Sequence, residues 1–373
     1  MRARRPEALV VLADGTTFRG EAFGALASGE ATVATGELVF NTAMSGYQEI
    51  VTDPSYAGQV IAFTYPHIGN YGVSPADEES GRPYCRGIVV RDLASRPSSW
   101  RAEGDLESFL EAHGLGGVCG VDTRRLTRHV REVGAMPCAL GTAPEGELLL
   151  AAKAEPGTEG VDLVGEVTTA APYEVPGGPL RVVAYDFGVK ATMLRSLSSF
   201  ATVEVVPATT PADEVLASRP DGVLLSNGPG DPAALPHLVA TVRELLGEVP
   251  VFGICLGHQL VAAALGASTY KLHFGHHGAN HPVRRLSTGT VEVTSQNHGY
   301  AVDPGSLERA PEAVEVTHVN LNDGVVEGIE CRGLRAFAVQ YHPEAGPGPH
   351  DARYLFGRFR DLMERSETAG RRP

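Results

Sequence analysis

Gly253-Ile254-Cys255-Leu256-Gly257-His258-Gln259 places a thiol between two glycines, where an apolar run gives way to helical periodicity. A side chain on such a strand-to-helix turn stands exposed at the sheet's edge, and the turn needs small neighbours on both sides. The following helix aims its N-terminal amides and positive dipole end at the sulfur. Both favour thiolate, the reactive form. A lone cysteine more often packs as a small hydrophobe; here the flanking glycines and the strand-to-helix setting point to a nucleophile at Cys255.

A nucleophilic thiolate needs a base to recycle protons and a group to orient that base. Gln340-Tyr341-His342-Pro343-Glu344 supplies both, after the apolar strand Arg335-Ala336-Phe337-Ala338-Val339. Pro343 biases His342 towards extended geometry. In an extended segment residues i and i+2 point the same way, so His342 and Glu344 are expected to share a face. The carboxylate then holds the imidazole's tautomer while its other nitrogen faces the sulfur. Ser226-Asn227-Gly228-Pro229-Gly230-Asp231-Pro232 follows an apolar strand at 222–225. Taken alone it is a loop of turn residues; beside the cysteine turn, its glycines suit main-chain amides that stabilise an oxyanion.

His273, His276, His277 and His281 crowd one segment. Gly275, Gly278 and Pro282 make that segment a loop, and no carboxylate or thiol pattern accompanies the histidines, so no metal site is expected. There is no G-x-x-x-x-G-K-[ST] phosphate loop, and no G-x-G-x-x-G follows a strand. Any ATP chemistry must reside on another chain.

The elements that position these residues follow a regular rhythm from 180 onward. Leu180–Tyr185 reads as a buried strand, 189–199 as a helix, 202–206 as a strand and 212–218 as a helix. Strand 222–225, helix 234–246, strand 249–254 and helix 256–265 follow. Such alternation predicts an open, mostly parallel sheet wrapped by helices, with ligands beyond the carboxyl ends of the strands. The first half reads instead as short strands at 8–12, 33–40, 59–65 and 86–91, with a helix near 104–113 and another from Asp122. Between 153 and 179 the texture breaks, and Ala171-Pro172-Tyr173-Glu174-Val175-Pro176-Gly177-Gly178-Pro179 offers no periodic apolar face. The domain boundary belongs there.

The length, 373 residues, suits two domains with separate cores. A formal charge of −14 argues against nucleic acid or an anionic membrane as the main partner, because both select basic surfaces. The five cysteines are scattered without a C-x-x-C pair, which fits a reducing cytoplasm. The basic start Met1-Arg2-Ala3-Arg4-Arg5 leads into an apolar run too short for a signal peptide, and no apolar run approaches the length of a membrane span.

The G-x-C-x-G-x-Q turn with a later H-P-E resembles the class I glutamine amidotransferases. Over nearly its whole length the chain is similar to the small-subunit family of carbamoyl-phosphate synthases. The stretches that carry this are Phe40-Asn41-Thr42-Ala43-Met44-Ser45-Gly46-Tyr47-Gln48-Glu49, Thr52-Asp53-Pro54-Ser55-Tyr56 and Tyr65-Pro66-His67-Ile68-Gly69-Asn70. Asp122-Thr123-Arg124, Tyr185-Asp186-Phe187-Gly188, Phe274-Gly275-His276-His277-Gly278 and Gln296-Asn297-His298-Gly299 continue it. The amino-terminal motifs select the subfamily, since other members of the class share the cysteine turn but not this first domain.

The resemblance implies a β-rich α/β small-subunit domain over 1–170 and a class I amidotransferase domain over 180–368. It implies Cys255, His342 and Glu344 as the catalytic residues. Glutamine contacts are implied for Ser55, Gly228, Gly230, Leu256, Gln259, Asn297, Gly299 and Tyr300; some relatives resemble Phe at the last position, and a main-chain contact survives that change. The implied reaction is attack of Cys255 on the glutamine side-chain amide, with the oxyanion held by the amides of Leu256 and Gly230. His342 protonates departing ammonia, and water activated by His342 then releases glutamate from the thioester. Ammonia passes to a large subunit, which uses ATP and Mg to make carbamoyl phosphate from bicarbonate for arginine and pyrimidine biosynthesis. No cofactor is expected on this chain, and the complex is expected to be a cytoplasmic heterodimer. A free-standing hydrolase with the same triad and an inactive scaffold on the same fold are the rival readings. The separate first domain disfavours the hydrolase, and the complete triad disfavours the scaffold.

Overall fold

The structure, a computed structural model, describes residues 5–29, 32–310 and 312–370. The basic residues Met1–Arg4 lie outside the described residues. Two compact units divide the chain, Met1–Val161 with His273–His277, and Asp162–Leu272 with Gly278–Pro373.

The first unit is built on β1 (Glu7–Leu12), β2 (Thr17–Gly24), β3 (Val33–Asn41) and β4 (Gln59–Phe63). After a short β5 (His67–Ile68) come β6 (Gly87–Val89), β7 (Asp92–Leu93), β8 (Gly116–Cys119) and β9 (Met136–Gly141). Seven of these close a barrel in the order β1-β2-β8-β6-β4-β3-β9, while β5 pairs with β7 alone. Closure leaves no unpaired barrel edge, which matters for strands this short. Alternate residues such as Val10, Leu12, Leu38, Val60, Val89, Val118 and Leu140 point inward and fill the barrel. Helix Thr123–Val133 adds Leu126 and Val130 to that core. Its N-cap is Asp122, whose carboxylate accepts the Arg125 N–H at 3.0 Å, so the Asp-Thr-Arg motif starts a helix.

The second unit is a ten-stranded sheet. It contains β10 (Tyr173–Val175), β11 (Leu180–Asp186), β12 (Ala201–Pro207), β13 (Gly222–Leu225) and β14 (Val251–Ile254). The remainder are β15 (Thr269–Arg285), β16 (Val291–Val302), β17 (Glu315–Asn320), β18 (Val326–Cys331) and β19 (Ala336–Val339). The spatial order is β10-β12-β11-β13-β14-β19-β18-β17-β15-β16. Strands β12, β11, β13, β14 and β19 run parallel. The residues of β13, β14 and β19 are buried throughout, with separate apolar clusters above and below the sheet. The strands beyond β19 extend the sheet antiparallel, so the sheet is mixed and its parallel portion is the part that carries the motifs.

Two sequence expectations need correction. The histidine-rich stretch is not a loop: His273, His276, His277 and His281 all lie in the long strand β15. Within the strand Gly275 takes φ +73°, a conformation that glycine permits. Residues 273–277 then spend their backbone groups inside the first unit, where His277 O accepts the Thr42 N–H at 3.0 Å and His273 O accepts the Ala135 N–H at 2.8 Å. The breaker-rich stretch 171–179 also contributes a strand, β10, which pairs antiparallel with the outer side of β12.

Candidate functional site

Four neighbouring strands, β11, β13, β14 and β19, end side by side and deliver every catalytic motif of the second unit. Strand β14 ends at Ile254, and the Cys255 N–H continues the ladder by donating to Val339 O at 2.9 Å. The chain then turns sharply, Cys255 taking φ 54° and ψ −103°, before helix Leu256–Ala264 begins. Backbone strain of this kind costs on the order of 1–3 kcal/mol and persists where function demands it. The two glycines of the motif make the turn sterically possible. A Cβ at Gly257 would stand 2.2 Å from Leu225 O, and one at Gly253 would stand 2.7 Å from Gly257 O.

The loop after β13 is tied directly to this turn. Ser226 O accepts the Gly257 N–H at 3.0 Å, and a Cβ at Gly228 would meet Leu256 at 2.8 Å and Phe187 O at 2.3 Å. Gly230, with φ +87°, follows in the same loop. On the other side, the Asn297 carbonyl oxygen lies 3.5 Å from the Cys255 Sγ. Gln259, one turn into the helix, donates from Nε2 to Tyr300 O at 2.9 Å. That bond ties the Tyr300 main chain to the helix that follows Cys255. The His342 N–H donates to Ser295 O at 2.9 Å, which fastens the base segment to β16. Gly228, Leu256, Gln259, Asn297 and Tyr300 are thus gathered about Cys255, with Gly230 and Gly299 in the same segments. Ser55 belongs to the first unit, where its N–H caps onto the Asp53 carboxylate at 2.9 Å.

His342 Nδ1 and Glu344 Oε1 are 2.7 Å apart, both side chains being buried. The backbone that brings them together is a turn, closed by Ala345 N–H donating to His342 O at 3.2 Å, not the extended pair expected from the sequence. Proline at 343 fits this equally well, because its fixed φ suits the second position of a turn. The other ring nitrogen, Nε2, is buried without an oxygen or nitrogen partner, and the Cys255 sulfur is the neighbour it senses. Burial disfavours the imidazolium, but the Glu344 carboxylate and the Cys255 sulfur outweigh it and raise His342 to about 10. Burial would likewise push the Glu344 carboxyl up, but Lys190 and then His342 outweigh it and hold it down to about 2.

Two residues of the site were not found from the sequence. Lys190, four residues beyond the end of β11, sends Nζ to Glu344 Oε1 at 3.0 Å and to Gly346 O at 2.6 Å. The Asp186 carboxylate shapes the intervening turn by accepting the Gly188 and Val189 N–H groups at 3.0 and 2.8 Å. A lysine just past a strand end, in a chain with 31 basic residues but only three lysines, was the available signal. Gln340 is the second. Its Nε2 points at the Cys255 Sγ at 3.8 Å and its Oε1 accepts from Gln259 Nε2 at 3.1 Å. It stood beside the His-Pro-Glu motif in plain view, yet an amide one residue off the strand carries no signal of its own.

A thiol at a strained turn, a charged imidazole beside it and a carboxylate fixing that imidazole form an arrangement suited to attack on an acyl or amide carbon. Comparison with known proteins bears on which. Residues 10–140 match the family model for the carbamoyl-phosphate synthase small chain, CPSase domain, and residues 183–362 match that for glutamine amidotransferase class-I. The carbamoyl phosphate synthase small chain of Syntrophotalea carbinolica is 51% identical over 97% of this chain and 99% of its own length. That of Symbiobacterium thermophilum is 54% identical over 96% and 99%, and that of Pseudomonas aeruginosa 50% identical over 95% and 98%.

The chain belongs to the carbamoyl-phosphate synthase small-chain family.

It is accordingly a glutamine amidotransferase subunit of a ligase. Within this small-chain family the two matched regions account for both units, the barrel with the CPSase domain and the mixed sheet with the amidotransferase domain. No helix among the described residues is long and apolar enough to cross a membrane.

Proposed function

We propose that this small chain hydrolyses glutamine through a Cys255 thioester and passes the ammonia to a large synthase chain. The observation that carries this reading is the meeting of His342 with Glu344 at 2.7 Å beside the strained Cys255 turn. With His342 raised to about 10, the imidazole enters the reaction protonated and pairs with thiolate sulfur. Cys255 Sγ attacks the glutamine Cδ, forming the C–S bond, and the oxyanion is received by the amides of Leu256 and Gly230. Collapse of the tetrahedral intermediate breaks the C–N bond, and His342 donates the proton that lets ammonia leave. The neutral imidazole then takes a proton from water as that water attacks the thioester, releasing glutamate and restoring the imidazolium–thiolate pair. Glu344 remains ionised throughout and holds the imidazole's orientation. Ser55, Gly228, Gln259, Asn297, Gly299 and Tyr300 are assigned to binding glutamine.

Ammonia must stay unprotonated to be useful, so transfer within a complex is favoured over release. The large chain supplies the ATP and Mg chemistry that makes carbamoyl phosphate from bicarbonate. The product feeds arginine and pyrimidine synthesis, and the heterodimer works in the cytoplasm, in keeping with five unpaired cysteines. The test is reconstitution with the large chain of a relative. Cys255→Ser should abolish glutamine-dependent synthesis and spare synthesis from added ammonia. Wild-type glutamate release should rise at least about tenfold when the large chain, ATP and bicarbonate are added, a coupling of roughly 1.4 kcal/mol or more. A lone chain already running at the rate of the complex would favour the free-standing hydrolase.

A further inference from the structure

At the opposite end of β19 from His342, a cavity of about 440 Å³ opens beside Ala336 and Phe337. That size falls within the range of small-molecule sites. Five arginines line it, Arg285, Arg332, Arg335, Arg358 and Arg365, against two carboxylates, Glu315 and Glu330. The concentration is unusual in a chain whose formal charge is −14.

The arginines are unequally committed. Arg358 pairs with Glu330 at 2.6 Å and lies over the Phe337 ring at 4.3 Å. Arg335 donates to Gly247 O at 2.6 Å, which fixes its orientation. Arg332 reaches Glu315 at 3.0 Å and Glu330 at 3.5 Å, but it and Glu315 are largely exposed, so these pairs are readily exchanged. Arg285 stacks on Tyr354 at 4.8 Å and feels the charge of Glu292. Among the described residues no carboxylate forms an ion pair with Arg285 or Arg365. The field has an internal reporter in His318, which also lines the cavity. Burial, and then the charges of Arg285 and Arg358, lower its imidazole to about 4, so it stays neutral at pH 7 and adds no charge of its own.

Guanidinium forks match the paired oxygens of phosphate, and a doubly charged group answers Arg285, Arg365 and the exchangeable Arg332 together better than a single carboxylate. Leu362, Ala336 and Phe337 supply the apolar part of the wall, and the Arg358 guanidinium lies over the Phe337 ring, so the charged group dominates recognition. We propose that this cavity binds a small phosphate-bearing anion, gripped by Arg285, Arg332 and Arg365. The site is separate from the glutamine-hydrolysing machinery and does not depend on that reading.

Isothermal titration calorimetry on the full-length chain tests it, with inorganic pyrophosphate, glycerol 3-phosphate and malonate as probes at about 0.15 M salt. At least one phosphate probe should saturate with a Kd below about 1 mM. Tighter binding of glycerol 3-phosphate assigns the site to organic phosphate esters, and tighter binding of pyrophosphate assigns it to inorganic ones. The double variant Arg332→Ala/Arg365→Ala should weaken the better probe at least about tenfold. Glu315→Gln, which removes a competing carboxylate, should tighten it, a gain that a misfolded protein could not produce. Absence of saturable binding, malonate binding as tightly as both phosphates, or variants that leave affinity unchanged would each overturn the proposal.

Discussion

Lys190 Nζ and His342 Nδ1 converge on a single oxygen, Glu344 Oε1, at 3.0 and 2.7 Å, and all three side chains are buried. One carboxylate oxygen therefore serves both the imidazole it orients and the cation that keeps it ionised. Without Lys190 the burial of Glu344 would be opposed chiefly by His342, and a carboxyl less firmly held in its ionised form orients an imidazolium less well. The lysine thus belongs to the positioning of the base although it does not face the sulfur.

Lys190→Met is accordingly expected to do more than remove a packing contact. Breaking a buried pair by deleting one partner costs about 3–5 kcal/mol. Chemical denaturation should show a loss of that order, and glutamine hydrolysis should fall with it. A variant of unchanged stability would show that Glu344 is satisfied without the lysine.

Gln340 offers a second test, because its amide donates towards the sulfur and its carbonyl holds Gln259. An N–H directed at sulfur favours thiolate over thiol. Gln340→Leu should slow alkylation of Cys255 by iodoacetamide and raise KM for glutamine through Gln259. An alkylation rate identical to wild type would reduce Gln340 to packing.

The turn at Cys255 makes a prediction about stability as well as rate. Cys255→Gly removes the nucleophile and also the Cβ that makes φ 54° unfavourable. It should abolish hydrolysis while leaving the protein as stable as wild type, or more stable by up to about 1 kcal/mol. Cys255→Ser keeps the Cβ and so should be inactive without that relief. A Gly variant that melts no higher than the Ser variant would mean that the turn stores no strain.

The pH dependence has a definite sign. His342 rises from 6.5 to about 10 on folding, so its contribution to stability is fully present below pH 6.5 and is lost as pH rises through about 10. Glu344 falls from 4.5 to about 2, so its contribution is present above pH 4.5 and is lost as pH drops through about 2. The difference in melting temperature between wild type and His342→Gln should be widest between these limits, at pH 4.5 to 6.5, and should narrow towards pH 10. A gap that widened with pH would reverse the assignment of charge to the imidazole.

The second unit's strands and helices were largely legible because a parallel core strand is an uninterrupted apolar run bounded by turn residues, as at Gly222–Leu225 and Val251–Ile254. The cysteine turn was legible for a related reason: glycines at 253 and 257 answer a steric demand that is local in sequence. The antiparallel strands β15 to β18 were not, since their pairing is with distant segments and glycine or proline at 275, 278 and 282 mimics a loop.

The sequence by itself determined the residue types, their spacing, the strand-to-helix turn and the family to which these belong, all of which rest on interactions within a few residues. Tertiary structure decided that the ends of β11, β13, β14 and β19 lie side by side, and so which lysine meets Glu344 and which amide meets Cys255. Those contacts join residues as many as 154 positions apart. A buried charge must find its counter-ion wherever the sheet order places one, and sheet order is a property of long-range packing that no local pattern encodes.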